Sequence, residues 1–122
     1  MLLATACSSH TQVAELTLHE NPTTGYSWTV QTDSSIKVES TYTADNNDKT
    51  LVGGGGKRTF TLTPSKDGTY HIVFSHLRNW EETPIESIEY EIEVDNGKIT
   101  QTYSSYKSSG DQRINAEPLQ IH

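Results

Sequence analysis

The fold follows from one stretch of this 122-residue chain, Asn21-Pro22-Thr23-Thr24-Gly25-Tyr26-Ser27-Trp28. Its first half has the chemistry of a turn, because Pro22 fixes φ and Gly25 can adopt the positive φ that closes a tight loop. Its second half alternates large apolar with small polar residues, which is typical of a half-buried strand. We therefore expect Thr23 and Thr24 at the tip of a rigid loop. Such a tip suits insertion into another protein, because little freedom is lost on binding, although Asn-Pro followed by Gly is also a common turn without further function.

The same period of two recurs along the chain and predicts more strands. The predicted strands are residues 12–18, 26–31, 36–42, 58–63, 69–77 and 85–94, with their apolar residues on alternate positions. Thr, Ser, Val, Ile and Tyr outweigh Ala and Leu in this part of the chain, which favours strands over helices. No helical periodicity of useful length is present. The fold class is therefore predicted to be all-β, most simply an antiparallel sandwich of two sheets.

The strand count also predicts where the unusual loops lie. If consecutive strands run antiparallel, each reverses the direction of the one before it. The loop at residues 21–25, the glycine-rich loop at residues 44–56 and the loop around Trp80 then arrive at the same end of the sandwich. Loops that cluster at one end of a rigid sheet pair are a common way for this architecture to form a binding surface.

Composition limits the domain count and the partners. A chain of 122 residues with 32% hydrophobic residues and a mean hydropathy of -0.64 can form one domain with one core. A formal net charge of -7 argues against nucleic acid as a partner. We expect the folded domain to be residues 11–95. Residues 96–122 are rich in Ser, Lys, Gln and Asn, which predicts a mobile tail with at most a short edge strand at residues 99–103.

The first ten residues resemble the end of a bacterial lipoprotein signal. Small residues precede Cys7, the single cysteine, to which lipid would be attached. A frayed N-terminus with an inert thiol is an equal alternative. No stretch approaches the roughly 20 apolar residues of a membrane-spanning helix, so no transmembrane span is expected.

The loops suggest binding rather than catalysis. The run Gly53-Gly54-Gly55-Gly56 lacks the Lys-Ser/Thr of a phosphate-binding loop, but glycines let a backbone approach a partner closely. Trp80 lies beside Arg78 in a loop, which is the composition of an interface hot spot if the ring is exposed. The histidines have no metal-ligand spacing, and nothing resembles a nucleophile paired with a base. The glutamates at positions 89, 91 and 93 are interpreted as a solvated strand edge. We therefore predict no enzyme, no metal and no cofactor.

Three motifs together resemble the chagasin family of inhibitors of papain-like cysteine proteases. They are residues 21–28, then Val52 and the four glycines leading into Arg58-Thr59-Phe60, then Arg78-Asn79-Trp80-Glu81. The resemblance spans roughly residues 12–94. Asn79 stands where the family usually has proline, which frees a backbone dihedral and predicts a less preorganised loop.

The resemblance implies an immunoglobulin-like β-sandwich whose three loops form a wedge that occludes a protease cleft reversibly. The implied protease-binding residues are Asn21, Pro22, Thr23, Thr24, Gly25, Tyr26, Gly53, Gly54, Gly55, Gly56, Arg78, Asn79 and Trp80. Thr23 and Thr24 would lie at the catalytic Cys–His pair of the protease, the glycines along the unprimed side, and Arg78 with Trp80 on the primed side. The expected protein is a monomer, secreted or in the cell envelope (periplasmic, with lipid at Cys7 as an anchor).

Two other interpretations use the same sequence. An adhesion or glycan-binding sandwich of the envelope would use the same three loops and would not inhibit proteases. A structural lipoprotein domain with incidental loops would have a mobile glycine loop and a buried Trp80.

Overall fold

A computed structural model describes residues 11–44, 55–78 and 80–122 and shows two packed β-sheets. The strands are β1 (Ala14–Glu20), β2 (Tyr26–Gln31), β3 (Ile36–Ala44), β4 (Gly56–Pro64), β5 (Gly68–Arg78), β6 (Glu86–Asp95), β7 (Lys98–Ser108) and β8 (Gln120–Ile121). One sheet has the order β3-β4-β1-β8 and the other β2-β5-β6-β7, with antiparallel pairing throughout. A 3-10 turn, Pro22–Thr24, joins β1 to β2. The predicted all-β, immunoglobulin-like sandwich is confirmed.

The core forms from the alternating apolar positions that the sequence indicates. Alternate residues of β6 from Ile88 to Val94 are buried between the sheets, as are the inward positions of β5 beside it in the same sheet and of β4 in the opposite sheet. The inward residues predicted for these three strands are all buried: Phe60, Leu62, Tyr70, Ile72, Phe74, Ile88, Tyr90, Ile92 and Val94. Within the described residues, no helix is long and apolar enough to cross a bilayer.

The predicted convergence of loops is present in the strand register. Glu20 at the end of β1 pairs with Gly56 at the start of β4, and Ala44 at the end of β3 pairs with the same glycine. In the other sheet, Tyr26 at the start of β2 pairs with Arg78 at the end of β5. The loops that follow β1, β3 and β5 therefore leave the sandwich at one end.

The C-terminal part of the chain differs from the expected mobile tail. Residues 98–108 form the eleven-residue strand β7 along β6, longer than the short edge strand that the sequence suggests. Residues 120–121 pair with β1, and Leu119 is buried in the core. The segment is ordered by strand pairing, because β6 and β1 offer edges that its backbone hydrogen bonds satisfy, and by burial of its few apolar residues, Ile99 and Leu119 among them.

The row of glutamates on β6 is not a strand edge. β6 lies between β5 and β7, so its neighbours face these side chains on both sides. Glu89 lies 3.2 Å from Nε2 of His71 on β5 and 3.0 Å from Nη1 of Arg113. Glu89 of this row therefore contacts a side chain of the neighbouring strand β5 and Arg113 after β7, in the middle of the sheet and not at an exposed edge.

Tyr90 makes stability depend on pH in the alkaline range. Its side chain is fully buried, and its hydroxyl donates to the carbonyl of Glu117 at 2.6 Å. Burial first, and then the carboxylate of Glu117, raise the pKa of Tyr90 from 10.0 to about 12. Because the folded pKa lies above the unfolded one, this contribution is complete below pH 10 and is lost as the pH rises through 12.

We therefore expect the unfolding free energy of the parent to fall more steeply than that of Tyr90→Phe between pH 10 and about 12. At pH 7 the variant should be less stable by about 1 kcal/mol, since it lacks the hydrogen bond. Urea unfolding followed by circular dichroism at each pH measures both effects. Parallel pH profiles for the two proteins would show that Tyr90 is not responsible.

Candidate functional site

The first loop, residues 21–25, is held by bonds within itself. The side chain of Asn21 accepts from the backbone N–H of Thr23 at 3.2 Å and from its hydroxyl at 2.6 Å. The hydroxyl of Thr24 donates to the carbonyl of Asn21 at 2.7 Å, and the N–H of Gly25 donates to the carbonyl of Pro22 at 3.0 Å. Gly25 has φ +86, the left-handed conformation that the sequence predicts for it. Both threonines are exposed, so the tip is at once rigid and accessible.

Arg78 joins the first loop to the third loop, residues 79–85. Its Nε donates to the carbonyl of Thr24 at 3.3 Å. Its guanidinium lies 4.3 Å from the ring centroid of Tyr26 and 5.6 Å from that of Trp80. A guanidinium between two aromatic faces is attracted to both. The two loops therefore form one continuous surface.

Trp80 presents its indole to solvent at the end of this stack. The side chain is 69% exposed, and a Cβ atom at Gly25 would lie 2.9 Å from its Cη2. This exposure counts against the interpretation in which the loops are incidental and Trp80 is buried. An exposed tryptophan beside an arginine is typical of a residue that becomes buried in a complex.

The glycine-rich loop is described only at its C-terminal end. Gly53 and Gly54 lie outside the described residues, as does Asn79 of the third loop, so the structure does not test their predicted roles. Gly55 and Gly56 lie at the same end as the first loop. A Cβ atom at Gly56 would collide with the carbonyl oxygen of Thr43, so the close approach of β3 and β4 requires glycine there.

Glu20 and Arg58 form a support beneath the loops that the sequence did not indicate. Glu20 is 1% exposed, and its Oε2 accepts from the backbone N–H of Trp28 at 2.8 Å. Its Oε1 accepts from Nε and Nη2 of Arg58 at 3.1 and 2.9 Å. The carboxylate thus connects β1 with β4 in one sheet and β2 in the other. It directly precedes Asn21, which fixes the point where the first loop leaves the sandwich.

Trp28 fixes the other side of the first loop. Its Nε1 donates to the carbonyl of His19 at 2.9 Å, so the strands before and after the loop are tied together twice. The ring of His76 stacks on the indole at 4.5 Å, and Nδ1 of His76 lies 2.8 Å from Oε2 of Glu86. The base of the loop surface is therefore packed and hydrogen-bonded below the exposed tip.

Comparison with known proteins identifies the family. Residues 9–94 match the model of the chagasin family of peptidase inhibitors, I42, which is more than half of the chain. The chain belongs to the chagasin family. The match contains β1 to β6 apart from the last residue of β6, and therefore all three loops.

Named relatives of this chagasin-family chain come from two protozoa. It is 38% identical over 66 residues to amoebiasin-1 of Entamoeba histolytica, which covers 54% of this chain and 65% of that protein. It is 31% identical over 74 residues to chagasin of Trypanosoma cruzi, covering 57% and 67%. The alignment thus spans just under two thirds of the length of amoebiasin-1.

A solved structure shares the fold. The crystal structure of a cysteine protease inhibitor from Entamoeba histolytica superposes with a TM-score of 0.60 at 28% sequence identity, covering 68% of this chain and 78% of that one. These relatives give no support to the alternative of an adhesion or glycan-binding module.

Proposed function

We propose that this chagasin-family chain is a reversible, tight-binding inhibitor of papain-like cysteine proteases. It acts by binding and performs no chemistry itself. The observation that carries the proposal is the joining of the first loop to Trp80 through Arg78, which makes a preformed surface at one end of the sandwich. Family membership supports it, as do the similarities to chagasin and to a cysteine protease inhibitor of solved structure.

The wedge would enter the protease cleft with the first loop at its centre. Thr23 and Thr24 would face the catalytic Cys–His pair, the glycine-rich loop would follow the unprimed side, and Arg78 with Trp80 would bind the primed side. The hydroxyl hydrogens of both threonines already serve bonds to Asn21. Thr24 Oγ1 also accepts from the N–H of Tyr26 at 3.3 Å, so its oxygen keeps one lone pair and that of Thr23 keeps two, which suits protonated groups of the catalytic pair.

A reversible inhibitor has to escape cleavage by its protease, and the shape of the first loop fits this requirement. Pro22–Thr24 form a 3-10 turn rather than an extended strand. The carbonyls of Asn21, Pro22 and Thr24 each accept a hydrogen bond from within the protein. A thiolate in the cleft would thus meet side chains and a closed turn instead of a peptide carbonyl aligned for attack.

The test is titration of papain with the protein while a fluorogenic peptide is hydrolysed. The double variant Thr23→Ala, Thr24→Ala should raise the inhibition constant about 30-fold, because it removes both contact side chains at the centre of the surface. A matched control is Thr69→Ala, Thr102→Ala, two exposed threonines outside the three loops, which should leave inhibition unchanged. Equal inhibition by the parent and the Thr23/Thr24 variant would remove this loop from the role.

We also propose that the protein acts as a monomer outside the cytoplasm, either secreted or held in the cell envelope by lipid attached at Cys7. The lipid anchor and the envelope location rest on the small residues before Cys7, which lie outside the described residues. Mass spectrometry of the protein from its native host tests it, since an unmodified Cys7 would exclude the anchor while leaving inhibition untouched.

A further inference from the structure

A fourth loop, residues 109–113, reaches the same end of the sandwich as the other three. β7 runs antiparallel to β6 and ends at Ser108, which pairs with Glu86 at the start of β6. The N–H of Ser109 then donates to the carbonyl of Ile85 in the third loop at 2.8 Å. This loop lies beyond residue 94, where the family match ends, so it is no part of the three-loop surface.

The fourth loop is held in a fixed position. Ser108 Oγ donates to Oδ2 of Asp111 at 2.7 Å, and the N–H of Asp111 donates to the carbonyl of Ser108 at 3.1 Å. After the turn, Arg113 Nη1 lies 3.0 Å from both Ser105 Oγ and Glu89 Oε2. Every residue of the loop is exposed. Together with the hydrogen bonds above, this makes the loop a fixed polar projection from the end of the sandwich.

A cleft of about 210 Å³ is lined by the third and fourth loops and by the adjoining ends of β6 and β7. Its walls include Thr83 and Pro84 on one side and Ser109 and Gly110 on the other. The strand order β2-β5-β6-β7 places the fourth loop two strands beyond β5, which carries Arg78 and leads into Trp80. With strands about 4.8 Å apart, the fourth loop lies roughly 10 Å further along the side that Trp80 occupies.

We propose that the fourth loop extends the protease-binding surface beyond Trp80. It would contact the protease just outside the primed side of its cleft, through hydrogen bonds from polar groups of Ser109, Asp111 and Gln112. The cleft beside Thr83 would receive a side chain of the protease surface. This inference rests on the proposed function, and it adds a recognition element that lies outside the part of the chain matched by the family.

Photo-crosslinking in the inhibited complex tests the inference. In a Cys7→Ser background, Gln112→Cys is labelled with a benzophenone maleimide and illuminated with papain. Glu82→Cys in the third loop is the reference for the three-loop surface, and Lys66→Cys at the opposite end of the sandwich is the negative control. All three native side chains are exposed, so these changes should leave the fold intact, which melting curves verify.

The expected result is a crosslink to the protease from the label at position 112, at a yield at least about tenfold above that from the label at position 66. In the proposed complex the label at position 112 lies at the rim of the interface, against the protease, whereas the label at position 66 lies at the far end of the sandwich. The two crosslinking yields should therefore differ. A crosslink from position 82 without one from position 112 would show that the fourth loop does not contact the protease, while leaving the inhibitor proposal intact. If the labelled proteins and the parent all fail to inhibit papain, the proposed function fails, and this inference fails with it.

Discussion

Replacing Gly25 by alanine should raise the inhibition constant for papain about 100-fold, more than the accompanying loss of folding stability would cause in a protein that stays folded. The new Cβ would lie 2.9 Å from Cη2 of Trp80, which is closer than carbon atoms approach. Trp80 is 69% exposed, so its ring can swing away at little cost to folding. The ring then leaves the position that Arg78 holds, and the surface loses the preformed contact of its largest aromatic residue.

Strain has to be separated from this displacement. Gly25 has φ +86, so alanine also costs about 1–2 kcal/mol of stability through its backbone conformation. Gly97, with φ +80, lies in the turn between β6 and β7 at the opposite end, where Gly97→Ala should incur a similar strain. Both variants should melt earlier by a similar amount, and only Gly25→Ala should lose inhibition. If both variants lost inhibition, or if both kept it, the contact between Gly25 and Trp80 would not couple the two loops.

Most of the architecture could be predicted from local patterns. The alternation of apolar residues in β4, β5 and β6 indicated the inward faces, because one face of each strand is buried against the other sheet. The sequence from Asn21 to Gly25 predicted the closed turn, because proline fixes its φ angle and glycine can adopt a positive one. The count of strand directions predicted that the first loop and Trp80 lie at the same end of the sandwich. The contacts of Arg78 with Thr24 and with Trp80 confirm this.

The parts that could not be predicted depend on partners far away in the sequence. In β7 only Ile99 and Ser105 are buried, so the strand has no apolar period to detect, and its order comes from the free edge of β6. Glu20 resembles any surface carboxylate at the end of a strand. Its burial depends on Arg58, which is 38 residues away and reaches it only because β4 pairs with β1.

Replacing Glu20 by alanine should lower the free energy of unfolding by about 3 kcal/mol, which corresponds to about 10 °C in melting temperature for a chain of this size. The substitution leaves the buried N–H of Trp28 without its acceptor and removes the carboxylate that faces Arg58. The side chain of Arg58 is 27% exposed and can turn toward water, so most of the loss comes from the Trp28 N–H and the lost packing. Urea unfolding measures the effect, with Glu39→Ala on the exposed face of β3 as the control that should change stability by less than about 0.5 kcal/mol.

A double-mutant cycle separates the two contributions of Glu20. Arg58→Ala leaves the buried carboxylate of Glu20 without its cation but keeps the acceptor for the N–H of Trp28. Glu20→Ala removes that acceptor and leaves Arg58 without its carboxylate. The double variant should therefore be less destabilised than the sum of the two single variants by about 1–2 kcal/mol. Additive losses would mean that the ion pair contributes nothing and that Glu20 acts only through the backbone of Trp28. In either case the size of the Glu20→Ala effect measures how firmly the first loop is tied to both sheets, because Glu20 precedes that loop and Trp28 follows it.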